Sequence, residues 1–342
     1  MRVVVAGLVV AGLVSVGVGG AVWMRSSASP AEKVQVAEKT PAPTAAAAPA
    51  AQLAAKAADL ADVTGTVPAS EPKPAPAPAK RACANPNALG IGRVVEIDTT
   101  GGPGFGFEHF KQLDFLADKE VVLTFDDGPW PVNTPAVLKA LADECTTGIF
   151  FAVGKHAMWH PDILRQVAAA GHTVGSHTWS HANLNKKGMT EQQAKDEIEK
   201  GFSAVRLALG AQPAPFFRFP QLQHPPAMVA YLGTRDISMF SCDLDSFDFK
   251  ASTPDKIVET VMTKVNKLGK GIILMHDFQK HTGEALPVLL ARLKAGGFKV
   301  VQMKAKAPVQ TLAEYDAEVA KDTKLPTINS RPVSSVVQTV GN

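Results

Sequence analysis

The sequence predicts an α/β fold built on a parallel sheet, either open or closed into a barrel. Three observations predict it. From residue 120 onward, short β-rich runs recur at 121–125, 148–153, 172–176, 216–219, 237–243, 271–275 and 298–303. Amphipathic helical stretches separate most of them, at 134–143, 161–170, 190–209, 226–232, 254–268 and 284–295. Such alternation marks βα units, whose strands run parallel. Finally, five of the seven runs end in polar, chemistry-capable residues, and the C-terminal strand ends form the ligand face in folds of this kind.

The elements before the sheet have separate causes. After Met1 and Arg2, residues 3–24 carry no charge, and Arg25 closes the run. Its length exceeds the apolar region of an ordinary export signal and suits a spanning helix. Small residues around Gly20 and Ala28 keep cleavage open, so residues 1–28 read as a signal peptide or a signal anchor. Either way the rest of the chain is expected outside the cytoplasm, held at the membrane through residues 3–24 or released by cleavage. Residues 30–82 hold 9 of the 25 prolines and 19 alanines, with no Phe, Tyr or Trp. A stretch without aromatic surface to bury cannot offset its ordering entropy, so 29–105 is expected as a disordered linker and lead-in. Subtracting these segments leaves length for one α/β domain, assigned to 106–310, with 311–342 as a wrapping or partly disordered tail.

Within the domain, Thr190 and Gln193 form a capping-box pattern ahead of the longest helix, and Thr253 before Pro254 marks another helix start. The net charge of +3 comes from interspersed acids and bases, without a basic stripe. Nucleic acid is therefore excluded as a partner class. The three cysteines show no C-x-x-C spacing. Cys145 and Cys242 are expected as small buried hydrophobes.

The chemistry lies at the strand ends. The first run ends Thr124-Phe125-Asp126-Asp127-Gly128-Pro129, and the third runs into His177-Thr178-Trp179-Ser180-His181. The fourth ends Arg218-Phe219-Pro220, the fifth leads to Asp243, Asp245 and Asp248, and the sixth to His276-Asp277. Two histidines four apart come to one side of a tight loop, and an Asp from another strand completes a His₂-carboxylate donor set for Zn²⁺ or a similar divalent ion. Thr178 stands where a zinc protease would need Glu. Neighbouring Asp126 and Asp127 point in different directions, so one can bind metal while the other serves as a base. His276 follows a buried apolar run and can donate a proton near neutral pH. His109, His156, His160, His172, His224 and His281 read as surface or supporting residues.

Together these segments resemble, in order and spacing over roughly residues 119–303, the five motifs of the polysaccharide deacetylase (NodB-homology, carbohydrate esterase family four) proteins. The resemblance implies a distorted (β/α) barrel of about seven parallel strands. It implies Asp127, His177 and His181 as metal ligands, with Zn²⁺ foremost and Co²⁺ or another divalent ion as alternatives. It implies Asp126 as general base, Arg218 as the residue holding it, His276 as general acid and Asp248 as the residue tuning His276. Asp245 is the other acid within reach of that role. An oxyanion would meet a backbone N–H after the Asp-Asp-Gly-Pro segment or near Gln221.

Two departures affect the substrate groove. The segment after Arg218 reads Phe219-Pro220-Gln221-Leu222-Gln223 where the family continues into an aromatic and a Gly, and Phe249 stands where Trp is common. Gln221 and Phe249 are thus the substrate-contact candidates, Phe249 as an apolar wall. The implied activity is hydrolytic removal of N-acetyl groups from an N-acetylglucosamine-containing polysaccharide, peptidoglycan- or chitin-like. An O-acetyl esterase of xylan and a non-catalytic glycan-binding module are the alternatives. No oligomeric state is implied.

Overall fold

The computed structural model describes residues 83–322. The segments assigned to signal or anchor and to most of the linker, and residues 323–342, lie outside the described residues. Among the described residues no helix is long and apolar enough to cross a membrane.

The elements run in the order β1 (Arg93–Ile97), β2 (Gly104–Phe105), β3 (Glu120–Asp126), α1 (Asn133–Asp143), β4 (Ile149–Ala152), α2 (Gly154–Trp159), α3 (Pro161–Ala169), β5 (Thr173–Ser176) and α4 (Glu191–Leu209). They continue with β6 (Phe216–Arg218), α5 (Pro226–Thr234), β7 (Ser238–Phe240), β8 (Leu244–Asp245), α6 (Pro254–Leu268), β9 (Gly271–His276), α7 (Lys280–Ala295), β10 (Lys299–Ala305) and α8 (Ala313–Asp322). Every strand pair is parallel. From β9 the order runs β9-β3-β4-β5-β6-β7-β2, with β8 on the outer edge of β9 and β10 joining β3 to β1.

Strand β3 is buried along its whole length, as expected of a parallel strand covered on both faces. Its period of two sets the site. Val121, Leu123 and Phe125 pack with α1, α6 and α7, whereas Val122 joins Phe151, Phe216, Phe240 and Ile272 in a second cluster on the opposite face. Thr124 and Asp126 share the parity of Val122, which turns the Asp126 carboxylate to that inner side.

Several expectations change. The single run at 237–243 divides into β7, paired with β2 and β6, and β8, paired with β9. Between them, Ser241 N–H donates to Phe105 and Asp243 N–H to Ile272, so the backbone switches partners mid-run. Residues 93–97 and 104–105, read as lead-in, are strands, and β1 pairs in register with β10. The tail from 311 contains α8, held on α4 by Arg206 to Asp316, Lys200 to Glu318 and Tyr315 Oη to Asp196. Cys145 is not a lone apolar filler: it is bonded to Cys83, 62 residues earlier, with a Cα–Cα distance of 5.8 Å. The pairing ties the entry segment to the end of α1, where Lys294 also bonds Glu144 and the carbonyl of Asn87. Cys242 is buried and free. His172 is buried rather than at the surface, accepts a bond from Gly148 N–H and is held neutral by burial, its pKa lowered to about 4.

Candidate active site

Asp126 closes β3, and Asp127 follows with φ 76°, a left-handed turn that sends the two carboxylates apart. Asp126 turns inward to Arg218. That guanidinium is fully buried, donates to Asp126 Oδ1 at 2.8 Å, Thr124 Oγ1 at 2.7 Å and the Ser241 carbonyl at 2.8 Å, and lies over the Phe151 ring. The two terminal nitrogens of this buried guanidinium are both engaged while its Nε has no hydrogen-bond partner, and the bond to Oδ1 sets the orientation of Asp126.

Asp127 turns the other way. Its Oδ1 lies 3.6 Å from His177 Nε2 and 3.3 Å from His181 Nε2, and it is buried without a hydrogen-bond partner. His177 donates Nδ1–H to the Arg218 carbonyl at 2.7 Å, which fixes the tautomer that leaves an Nε2 lone pair facing Asp127. Burial lowers the His177 pKa to about 4, against the pull of Asp126 and Asp127, so the imidazole stays neutral. One carboxylate and two imidazoles whose ligating atoms lie within 4.8 Å of one another, one oxygen being orphaned, fit a divalent cation.

On the other side of β3, β9 places His276 in register with Asp126. Asp248 accepts from His276 twice, from Nδ1–H at 2.6 Å and from its backbone N–H at 2.7 Å, and also from Thr282 Oγ1 and Phe249 N–H. Nε2 is thereby the ring nitrogen available to the cavity. Burial opposes charge on His276, but the bond and field of Asp248, reinforced by Asp127 and Asp126, outweigh it and raise the pKa to about 10. Asp245 does not compete: its Oδ1 accepts from Phe247 N–H.

Asp126, Asp127, His177, His181 and His276 line a cavity of about 470 Å³. Gln221 and Phe249 are in its wall, Phe249 edge-on to His276 and 47% exposed, Gln221 accepting a bond from Asn183. The amides of Gly128 and Trp130 are engaged by Asp277 and Thr134. Beside Gln221, the amides of Leu222 and Gln223 are likewise engaged, by the carbonyls of Phe219 and Pro220.

Two supporting residues were not assigned roles from the sequence. Asp277, fully buried, accepts from Gly128 N–H at 3.1 Å and from Thr134 Oγ1 at 2.5 Å, and a Cβ on Gly128 would lie 2.0 Å from its Oδ2. Burial raises its pKa to about 7, with the bonds opposing and the nearby Asp127 and Asp126 adding to the rise. His156 Nδ1 bonds the carbonyl of Asp127 at 2.6 Å. Asp277 was visible beside His276 in the strand-end cluster but without a role of its own; His156 carries no pattern signal.

Residues 116–237 match the polysaccharide deacetylase family. The chain is 29% identical over 209 residues to a chitooligosaccharide deacetylase of Sinorhizobium fredii, covering 55% of this chain and 95% of that protein.

Residues 116–237 of this chain belong to the polysaccharide deacetylase family.

Another deacetylase relative is the peptidoglycan-N-acetylglucosamine deacetylase PgdA of Listeria monocytogenes, 29% identical over 187 residues, or 54% of this chain; the match spans 38% of PgdA's own length. Among solved deacetylases, the peptidoglycan deacetylase Bd3279 of Bdellovibrio bacteriovorus is 32% identical with a TM-score of 0.58, over 67% of this chain and 63% of that one.

Proposed function

We propose that this chain is an exported, metal-dependent hydrolase that removes N-acetyl groups from N-acetylglucosamine-containing polysaccharide. The observation that carries the proposal is the arrangement about β3. A donor set for a cation lies on the β5 side, a charged histidine on the β9 side, and an oriented carboxylate between them.

Asp127, His177 and His181 would hold the ion, with Zn²⁺ foremost because two imidazoles and one carboxylate suit it. The ion, when bound, supplies positive charge that acidifies water and polarises a carbonyl. Asp126, with Oδ1 bonded to Arg218, accepts the proton of the attacking water on Oδ2. The water oxygen bonds to the acetyl carbon and the C–N bond breaks. His276 Nε2–H gives its proton to the departing nitrogen, so acetate and a free amine leave. Asp248 keeps His276 protonated until that step and holds its ring. Phe249 offers an apolar face to a sugar ring, and Gln221 lies at the rim.

Further parts of the proposal rest on other supports. The relatives' names favour a peptidoglycan-like or chitin-like polymer. The bond between Cys83 and Cys145 supports export, because such bonds persist in oxidising compartments. Residues 3–24 would anchor the chain or direct its secretion, and the linker would let the domain reach a polymer outside the cell. We also take the sheet to be a distorted barrel, with 106–310 as its catalytic segment and β1 and β2 joining the sheet ahead of it.

An acetate-release screen over peptidoglycan, chitin oligomers and acetyl-xylan tests this reading, with Asp126→Asn as control. Release from the first two and not from the control is expected. Release from acetyl-xylan alone would replace the reading with an O-acetyl esterase, and no release from any substrate with Zn²⁺ or Co²⁺ present would leave a binding module.

A further inference from the structure

The segment 177–181 carries two of the three candidate ligands, yet it is neither helix nor strand. Thr178 and His181 both sit in the left-handed region, at φ 68° and 60°, which non-glycine residues adopt only under support from their surroundings. The support comes from two helices. From one side, the first turn of α2 donates Gly154 N–H to the Thr178 carbonyl and Lys155 N–H to the Trp179 carbonyl, each at 2.9 Å.

From the other side the contacts converge on one residue of α4. Glu197 accepts Ser180 N–H at 2.8 Å and Ser180 Oγ–H at 2.7 Å on its two carboxylate oxygens, while its backbone carbonyl accepts Trp179 N–H at 2.7 Å. Gly201, one turn further along α4, lets the loop come this close, since a Cβ there would lie 2.7 Å from the Thr178 carbonyl carbon. Ser180 stands directly before His181. The carboxylate therefore grips the loop between its two imidazoles without touching either.

We propose that Glu197 is the positioning residue of the paired histidines, and that it sets the affinity of this site for a divalent cation. The inference rests on the metal-site reading above and extends it to α4, 16 residues beyond His181. His177 has its own orientation, through Nδ1 to Arg218. Among the described residues, the His181 ring has no polar contact except its approach to Asp127, so its position depends on the backbone that Glu197 holds. Releasing Ser180 frees His181 to leave the donor set, and the ion is then held by two ligands. Outer partners of this kind change metal affinity by about 10- to 100-fold when removed.

The test is a competitive Zn²⁺ titration of the purified, metal-stripped chain, alongside its thermal unfolding. Glu197→Ala is expected to weaken Zn²⁺ binding at least about tenfold. Glu197→Gln, whose amide can still accept Ser180 N–H and donate to its hydroxyl, is expected to stay within a few-fold of the parent. A purely structural role for Glu197 would lower the unfolding midpoint and leave the dissociation constant unchanged, which overturns the proposal. Should Glu197→Ala not fold, Glu197→Asp keeps the charge and shortens the reach; weakened binding supports the proposal and parental affinity overturns it. A parent chain that binds no Zn²⁺ defeats the metal-site reading itself, whereas a parent that binds beside an equally tight Glu197 variant defeats only this inference.

Discussion

Replacing Asp248 with Asn isolates the charge that the His276 acid depends on. The amide oxygen of the substituted side chain can still accept from the His276 backbone N–H and from Thr282, so the ring stays close to its place. The negative charge is lost. In the parent, His276 is raised from 6.5 to about 10, which at about 1.4 kcal/mol per pKa unit corresponds to about 5 kcal/mol favouring the charged imidazolium. Without Asp248, burial pulls the other way and the pKa falls to the ordinary value or below. At pH 7.5 the protonated fraction then drops from nearly all to about a tenth or less. Loss of a positioned acid slows expulsion of an amine by about 10²–10⁴-fold. A cation at Asp127 lowers the parent's own value, so the basic limb of the loaded enzyme falls below 10. The assay is acetate release from an N-acetylglucosamine oligomer between pH 6 and 10, with an aryl acetate ester as companion substrate. The variant should lose amide hydrolysis, shift its basic limb down and retain much of its ester hydrolysis, because a phenolate leaves without a proton. Parental amide rates with an unmoved basic limb would refute the assignment of His276 and Asp248.

The same pair makes stability depend on pH. A raised histidine contributes stability fully below its unfolded pKa near 6.5 and loses it as pH rises through about 10, while Asp248, lowered by His276, contributes above the usual carboxylate range and loses it in acid. Urea unfolding should therefore show the parent's advantage over Asp248→Asn narrowing progressively between about pH 6.5 and 10. Arg218→Ala leaves the buried Asp126 carboxylate unpaired and should cost about 3–5 kcal/mol, part of which Asp126→Asn restores in the double variant; additive losses would contradict the pairing. Cys83→Ser opens a 62-residue loop and should cost up to about 4 kcal/mol by chain entropy, read as a lower urea midpoint under oxidising conditions and no difference from the parent in reductant.

Much of this architecture was legible locally. The 121–125 and 271–275 runs are continuous and apolar because β3 and β9 are buried on both faces, and the capping box at Thr190 forms as its spacing predicts. The histidine pair and the Asp pair were recognisable because their spacing is short, and the fold brings them to one cavity. What failed was long-range. β1 is partly exposed and exists through its pairing with β10, more than 200 positions away, and no local pattern announces it. The run at 237–243 looks unbroken, yet Arg218 claims the Ser241 carbonyl and the backbone changes partners there. Cys83 and Cys145 are too far apart for spacing to pair them. Only its place before the aromatic Phe249 favoured Asp248 over Asp245 on paper, and geometry shows that Asp248 is the one bonded to His276. Asp277 and Glu197 look like ordinary turn and surface acids until burial and bonding are known.

The central claim is that this cavity removes acetyl groups from sugar nitrogen by means of a held cation. The most direct measurement is mass spectrometry of purified peptidoglycan fragments incubated with the chain as prepared, after metal chelation, and after reloading with Zn²⁺. The account predicts loss of acetyl groups from N-acetylglucosamine with the prepared and reloaded chain and none with the chelated one. Deacetylation that persists undiminished after complete chelation would contradict it.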